Sequence, residues 1–317
     1  MPSDLSQEQG YTRLHRYDSI IIGAGHNGLV CAAYLAKSGQ RVLVLEAAGT
    51  AGGLGANREF HEGFRVSVAH SLSHFAPGIA RDLDLAAHGF ESVSKTLPTI
   101  GLSAEREHVI VHRDSLQGVS SADADAYRDY SRLMGCFADA LAPFWLRTMP
   151  RIANNSLREM MTFAHIGLNL RRMGKKDMQE FLRIASLPAR DLMDEFFDND
   201  ILKATLNWDG LVGSKLAPRS PNSAVLAMLY RRSGDTGGAH SIPAAGVGGL
   251  IDALCAAATS ASAEIRCGTT VGRILIEGSS EGLVANGVQL DDGETIKADR
   301  VISATDPKRT FLGLVGV

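Results

Sequence analysis

The 317-residue sequence predicts an α/β protein whose parallel sheet is interrupted by a mixed, largely helical insertion. Three observations predict it. Residues 18–53, DSIIIGAGHNGLVCAAYLAKSGQRVLVLEAAGTAGG, run strand, glycine turn, helix, strand. Residues 122 to about 232 carry helical periodicity, broken at Pro143, Pro150, Gly174, Pro188 and Pro218. Residues 264–303 return to four short strand patterns around the turn DDGE at 291–294. A chain ordered in this way visits one sheet twice, with a second unit inserted between the visits.

The first visit is the most informative. SIII at 19–22 is the apolar run of a strand buried on both faces. Gly23-Ala24-Gly25-His26-Asn27-Gly28 follows, opening a helix, LVCAAYLAKSG, that stops at Gly39; RVLVLE then ends on Glu46. This is the pattern of a Rossmann-like dinucleotide domain. Gly23 allows the tight turn, Gly25 lets the backbone approach a pyrophosphate, and Gly28 lets helix and strand pack closely. The unpaired amides and positive end of the helix dipole hold the phosphates. Glu46, eighteen residues past Gly28, is placed for the ribose hydroxyls of an adenosine. Asn27, at the helix start, and Ala47, beside Glu46, complete this part of the candidate cofactor-binding set.

A carboxylate at 46 suits NAD or FAD and repels the 2′-phosphate of NADP. Gly52 and Gly53 bear on the choice. Two adjacent residues without Cβ let the main chain lie against something bulky. A backbone pressed against the ribityl and flavin end of an extended FAD explains the pair better than a nicotinamide dinucleotide does; a simple flexible loop is the alternative.

Composition narrows the classes. Hydrophobic residues make up 45% and charged residues 21%, with a net charge of −3. That is the balance of a globular protein and lacks the basic footprint of a nucleic-acid partner. Cys31, Cys136, Cys255 and Cys267 form no CxxC pair, which argues against a disulfide framework or a dithiol centre. The first sixteen residues lack the apolar core of a signal peptide, and no apolar run approaches a span of about 18 residues. The cytoplasm is the expected location. HVIVH at 108–112 reads as an edge or half-buried strand with two histidines on one face; His70 and His74 would share a face if helical. Neither pair has a third ligand at a metal-site spacing, so no metal is expected. GVGG at 246–249 follows no strand and leads to no acid, and is read as a packing turn. No nucleophile, base and acid occur in a catalytic arrangement, which fits an enzyme whose cofactor carries the hard step.

Residues 18–75 resemble the start of the phytoene desaturase-like flavoproteins, relatives of the amine oxidase superfamily. That group includes carotenoid desaturases and isomerases, retinol saturase and a branch named after pyridine nucleotide–disulfide oxidoreductases. The likeness runs through GGLGANREFHEGFRVSVAHSLSHF at 52–75 and resumes at 242–254, 263–278 and 298–307. The resemblance implies FAD. Gly23, Gly25 and Gly28 would hold its pyrophosphate, Glu46 its adenosine ribose, and Gly52 and Gly53 would pass its ribityl and flavin. Val271 would offer backbone to the adenine, Ala304 would lie near the dinucleotide, and His70 would stand beside the flavin as a candidate for catalysis. There is a departure: Ser67-Val68-Ala69 replaces the Asp-Ala-Gly usual in carotenoid desaturases, which favours the less characterised branch.

The expected organisation is a polar tail at 1–16, a first FAD-binding part at 17–76, a substrate domain at 77–240, and a return to both at 241–317. The expected function is hydride transfer from a large apolar substrate, a polyene or lipid, to flavin N5. The rival is a flavin-fold protein that binds or scaffolds without turnover. An amine oxidase is a weaker third reading, for want of an aromatic cage. Residues 141–176 carry seven basic residues against the single acid Glu159, a local balance of +6, interleaved with Phe144, Trp145, Leu146, Met160, Met161 and Phe163. A solvated basic face and a peripheral membrane contact are the two readings of that stretch. Only 19–22, 41–45 and 300–303 read as convincing parallel strands, and DPKRTFLGLVGV starts a helix with no later strand. The expectation is a longer protein or a complementing C-terminal chain, with FAD held weakly by residues 1–317 alone and self-association, as a homo-oligomer, through exposed apolar surface.

Overall fold

The computed structural model describes residues 16–105, 107–113, 115–148, 151, 156–221, 224–234, 236–279 and 282–316. Arg16 apart, the polar tail lies outside the described residues, as does Pro150. The chain forms two compact units. The first comprises residues up to Ser71, Gly78–Ser92 and Ile242 onwards; the second comprises Leu72–Pro77 and Val93–Ser241.

The first unit is built on β1 (Arg16–Ile22), α1 (His26–Lys37), β2 (Val42–Leu45), the hairpin β3 (Arg58–His61) and β4 (Phe64–Val66), α2 (Gly246–Ser260), β5 (Glu264–Arg266), β6 (Val271–Ser279), β7 (Gly282–Leu290) and β8 (Thr295–Ser303). Six strands form one sheet in the order β5-β2-β1-β8-β7-β6. The first four are parallel, with Ile22 opposite Leu45 on one side and Ser303 on the other. β8, β7 and β6 are antiparallel. Ile20 to Ile22 and Val42 to Leu45 are at most 5% exposed, which explains their unbroken apolar runs. α1 turns Leu29, Ala32, Ala33 and Ala36 inward and packs on α2; its small residues allow the close approach.

Two sequence expectations are corrected here. The parallel part has four strands where three were expected, because Glu264–Arg266 pairs with β2 as an edge. That segment's strand pattern shows in the sequence, but its parallel pairing with β2 is made by tertiary contact and leaves no local signal. Three of the four patterns in 264–303 are nine-residue strands, not short ones.

The second unit is mainly helical: Ser121–Leu141, Leu157–Arg172, Lys175–Ile184, Ala189–Phe196, Asp200–Leu211 and Ala224–Arg232. Gly174, Pro188 and Pro218 fall between helices as expected, whereas no expected breaker separates Ala189–Phe196 from Asp200–Leu211. Gly174, at φ +93°, caps the start of Lys175–Ile184, and Pro188 that of Ala189–Phe196. Ser120 accepts the Asp123 amide at 3.1 Å, and Asn199 accepts the Ile201 and Leu202 amides at 3.0 Å. Met134, Phe137, Ile184, Leu192 and Leu202 form the core. Val109–Val111 is the middle strand of a three-stranded antiparallel sheet with Thr99–Gly101 and Leu116–Gln117, not an edge. His70 and His74 share no helix, since residues 67–76 are irregular; His74 instead packs edge-on against the Tyr230 ring at 4.4 Å. Among the described residues no three or more His, Cys, Asp or Glu gather as a metal site, and no helix is long and apolar enough to cross a membrane.

Candidate functional site

The site is assembled where β1 gives way to α1. Gly23 adopts φ +101°, which side-chain-bearing residues avoid. Its amide donates to the Leu45 carbonyl at 2.8 Å, and the Ala304 amide donates to the Ile22 carbonyl at 2.9 Å, so the turn is pinned from both neighbouring strands. Gly28 permits close packing: a Cβ there would lie 2.1 Å from the Gly23 carbonyl oxygen and 3.2 Å from the Ala304 side chain. Gly25 differs in kind. A Cβ there would meet nothing within 4 Å, so the residue faces open space.

That space lies at the N-terminus of α1, where Gly25 is the N-cap without a side-chain cap bond and no acid occupies the first turn. The first amides of a helix have no partner within it and carry its positive end. Asn27 and His26 are exposed in this first turn.

Glu46 ends β2 and ties three segments together. Its Oε2 accepts the Ala24 amide at 2.8 Å and its Oε1 the Ala48 amide at 2.9 Å. Its own amide donates to the Arg266 carbonyl at 2.9 Å, and its carbonyl accepts the Thr269 amide at 2.8 Å. A carboxylate has about four acceptor positions, so two remain for hydroxyl groups. Ala47 is exposed beside it. The Gly268 amide donates to the Ala48 carbonyl at 2.7 Å, which brings the segment just before Val271 alongside Glu46 and Ala48; Val271 itself is buried opposite Leu290.

The second glycine pair closes on the same turn. Gly52, at φ +124°, donates its amide to the Ala24 carbonyl at 2.8 Å and bridges to Gly25. A Cβ on Gly52 would lie 2.9 Å from both Ala56 and Ile251. Gly53 is exposed, and a Cβ on it would sit 3.5 Å from the Gly25 Cα, so the two glycines border one opening. Ser67-Val68-Ala69 comes to this place through the Ala69 amide, which donates to the Leu54 carbonyl at 3.2 Å. His70 is exposed, and among the described residues no contact ties it to the turn.

Some participants had no signal in the sequence. Ile251 of α2 packs under Gly52 and Gly55. Ser303, Thr305 and Thr310 hydroxyls form a closed set at 2.7–3.1 Å, and the Thr305 methyl backs Gly23. Cys267 lies against this site: burial first, then the Glu46 charge, pushes its thiol above the ordinary cysteine range. GVGG does act in packing, since a Cβ on Gly248 would collide with the Asn57 side chain at 2.1 Å.

An uncapped helix start, an open glycine above it and a carboxylate with spare acceptor positions fit the pyrophosphate and ribose of FAD. Gly25 would line the phosphates, Gly23 and Gly28 shape the turn that presents it, and Glu46 would meet the adenosine ribose.

Pyridine nucleotide-disulfide oxidoreductase domain-containing protein 2 of Rattus norvegicus is 30% identical over 94% of this chain and 55% of its own length. Hydroxyneurosporene desaturase of Cereibacter sphaeroides is 28% identical over 94% of the chain and 58% of its own. The chain thus spans a little over half the length of these curated relatives. An oxidoreductase from Methanosarcina mazei, known by crystal structure, superposes with a TM-score of 0.56 at 22% identity, covering 94% of this chain and 61% of that one; at such identity the likeness concerns the fold. Residues 28–309 match the family described as flavin containing amine oxidoreductase. The chain belongs to that family, and its cofactor is FAD.

Proposed function

We propose that this protein is an FAD-dependent oxidoreductase that withdraws hydride from a C–H bond of a large, mainly apolar substrate such as a polyene or lipid. The observation that carries the reading is the shared opening above Gly25 and Gly53, over the uncapped start of α1 and beside Glu46. When bound, FAD supplies two-electron chemistry at flavin N5. The chain's residues bind and orient: backbone amides at the helix start neutralise phosphate charge, and Glu46 accepts ribose hydroxyls. No acid–base group of the chain is required beyond these, consistent with the absence of a catalytic triad in the sequence.

Access from a membrane surface belongs to the same reading. On the helix Leu157–Arg172, Leu157, Met160, Met161 and Leu168 are 78%, 56%, 59% and 45% exposed. Their spacing puts them on one stripe of the helix. Arg171, Arg172, Lys175 and Lys176 stand exposed at its C-terminal end. An apolar stripe ending in cations suits an anionic bilayer surface.

A second reading, flavin binding without turnover, is favoured by Ser67-Val68-Ala69, which lies beside the Gly53 turn where desaturases carry Asp-Ala-Gly. Anaerobic mixing of the flavin-loaded protein with polyenes separates the two. Bleaching of the long-wavelength flavin band supports the oxidoreductase; polyenes that bind without bleaching it support the binding protein.

A further inference from the structure

The second unit holds a small recess of about 90 Å³, open to solvent. Its polar lining is rich in donors and poor in acceptors. The lining carries Arg113, Arg231 and Arg232 but a single carboxylate, Asp209. That carboxylate is already engaged: Arg231 donates to its Oδ1, and His240 Nε2 lies 3.1 Å from the same oxygen. Arg232 is partly buried and donates to the Ser131 carbonyl and hydroxyl oxygens at 2.8 and 2.6 Å, both of them neutral. Among the described residues neither Arg232 nor Arg113 has a carboxylate partner. A partly buried guanidinium held only by neutral acceptors keeps N–H donors to spare for an anion.

The rest of the lining is consistent with this. The Tyr130 ring is 4% exposed, and burial drives its hydroxyl pKa well upward, so that the group stays protonated and able to donate. Gly237, at φ +64°, makes room for a third element: a Cβ there would lie 3.0 Å from Arg113 Nε and would displace that guanidinium. Val111, Met134 and Met228 supply an apolar wall.

We propose that this recess binds a carboxylate or phosphate monoester group, held by Arg232 and Arg113 and seated against the apolar wall. Bidentate guanidinium contacts are the usual means of holding either group. The site lies wholly within the second unit and is independent of the flavin reading.

Calorimetric titration of the 317-residue chain with octanoate, octyl phosphate, 1-octanol and inorganic phosphate, at fixed ionic strength, tests it. Octanoate and octyl phosphate should bind at least tenfold more tightly than 1-octanol, and Arg232→Gln should remove that advantage. Circular dichroism checks the variant's fold; if Arg232→Gln unfolds the unit, Arg113→Gln at the exposed side provides the same readout. Inorganic phosphate binding as tightly as octyl phosphate would mark a site for the free anion, and weaker binding one for the head of an amphiphile. Binding of 1-octanol as tight as that of octanoate, no binding by any anion, or full affinity after both substitutions would overturn the proposal.

Discussion

Glu46 Oε2 accepts the Ala24 amide at 2.8 Å, so the carboxylate expected to meet a ribose also holds the glycine turn in shape. Ala24 is fully buried. Glu46→Ala should therefore act twice. Loss of a charge-assisted acceptor should lower FAD affinity about ten- to hundredfold. The orphaned buried amide should lower unfolding free energy by about 1–3 kcal/mol. Flavin titration and chemical denaturation measure the two effects separately; unchanged flavin affinity would remove Glu46 from the ribose site.

Gly25 and Gly28 should respond in opposite ways to alanine. A methyl at 28 meets the Gly23 carbonyl oxygen at 2.1 Å, a backbone atom that cannot move aside cheaply. Gly28→Ala should destabilise the apoprotein by about 1–3 kcal/mol through overpacking. A methyl at 25 enters open space, so Gly25→Ala should leave apoprotein stability within about 0.5 kcal/mol while weakening FAD binding. Equal loss of stability in both variants would mean that the opening above Gly25 has another purpose than receiving phosphates.

The thiols offer a probe of the same corner. Cys267 is held above the ordinary range by burial and then by Glu46. Removing the carboxylate charge in Glu46→Gln lowers the thiol pKa, and more thiolate is present at any fixed pH. Iodoacetamide should then alkylate Cys267 faster at pH 8 in the variant apoprotein. Cys255, pushed up to about 11 chiefly by burial, is a control: only about one thiol in a thousand is ionised at pH 8, and its labelling should climb as pH rises toward 11.

Membrane contact through the helix Leu157–Arg172 predicts sedimentation with anionic liposomes at low salt and release at high salt. Met160→Glu with Met161→Glu should abolish it without unfolding, because both side chains are more than half exposed. Binding that survives the double substitution would rule out this helix as the contact.

The glycine turn was legible because everything that makes it is local. Strand, turn, helix and Glu46 fall within one short stretch, where apolar period and glycine spacing speak directly. The Glu46–Ala24 bond was not legible, since a carboxylate at a strand end does not announce which amide it will meet. Gly52 was read as making room for a cofactor, yet a Cβ there would meet Ala56 close by in the chain and, at the same 2.9 Å, Ile251 of the distant α2. Glu264–Arg266 was seen as a strand pattern, yet its partner β2 is known only from the folded sheet. HVIVH was read as an edge or half-buried strand; the half-buried alternative holds, with Val109 buried and Ile110 and Val111 partly so, and only the sheet shows that the strand lies in the middle.

The pairing of Ile22 with Ser303 also sets an order of events during synthesis. β1 leaves the ribosome early, but one of its two sheet neighbours is 281 residues behind it. At about 5–20 residues per second that strand waits roughly 14–56 s for β8. The whole of Val93–Ser241 is made in the interval and can fold while the nucleotide sheet is still open on one side. Such distant pairing slows closure, and until Ala304 arrives to donate to Ile22 the glycine turn has only its β2 side in place. Competence to take up flavin is therefore acquired late, after the inserted unit is already built, and a nascent chain stalled before residue 295 would carry the complete dinucleotide fingerprint without a finished turn to present it.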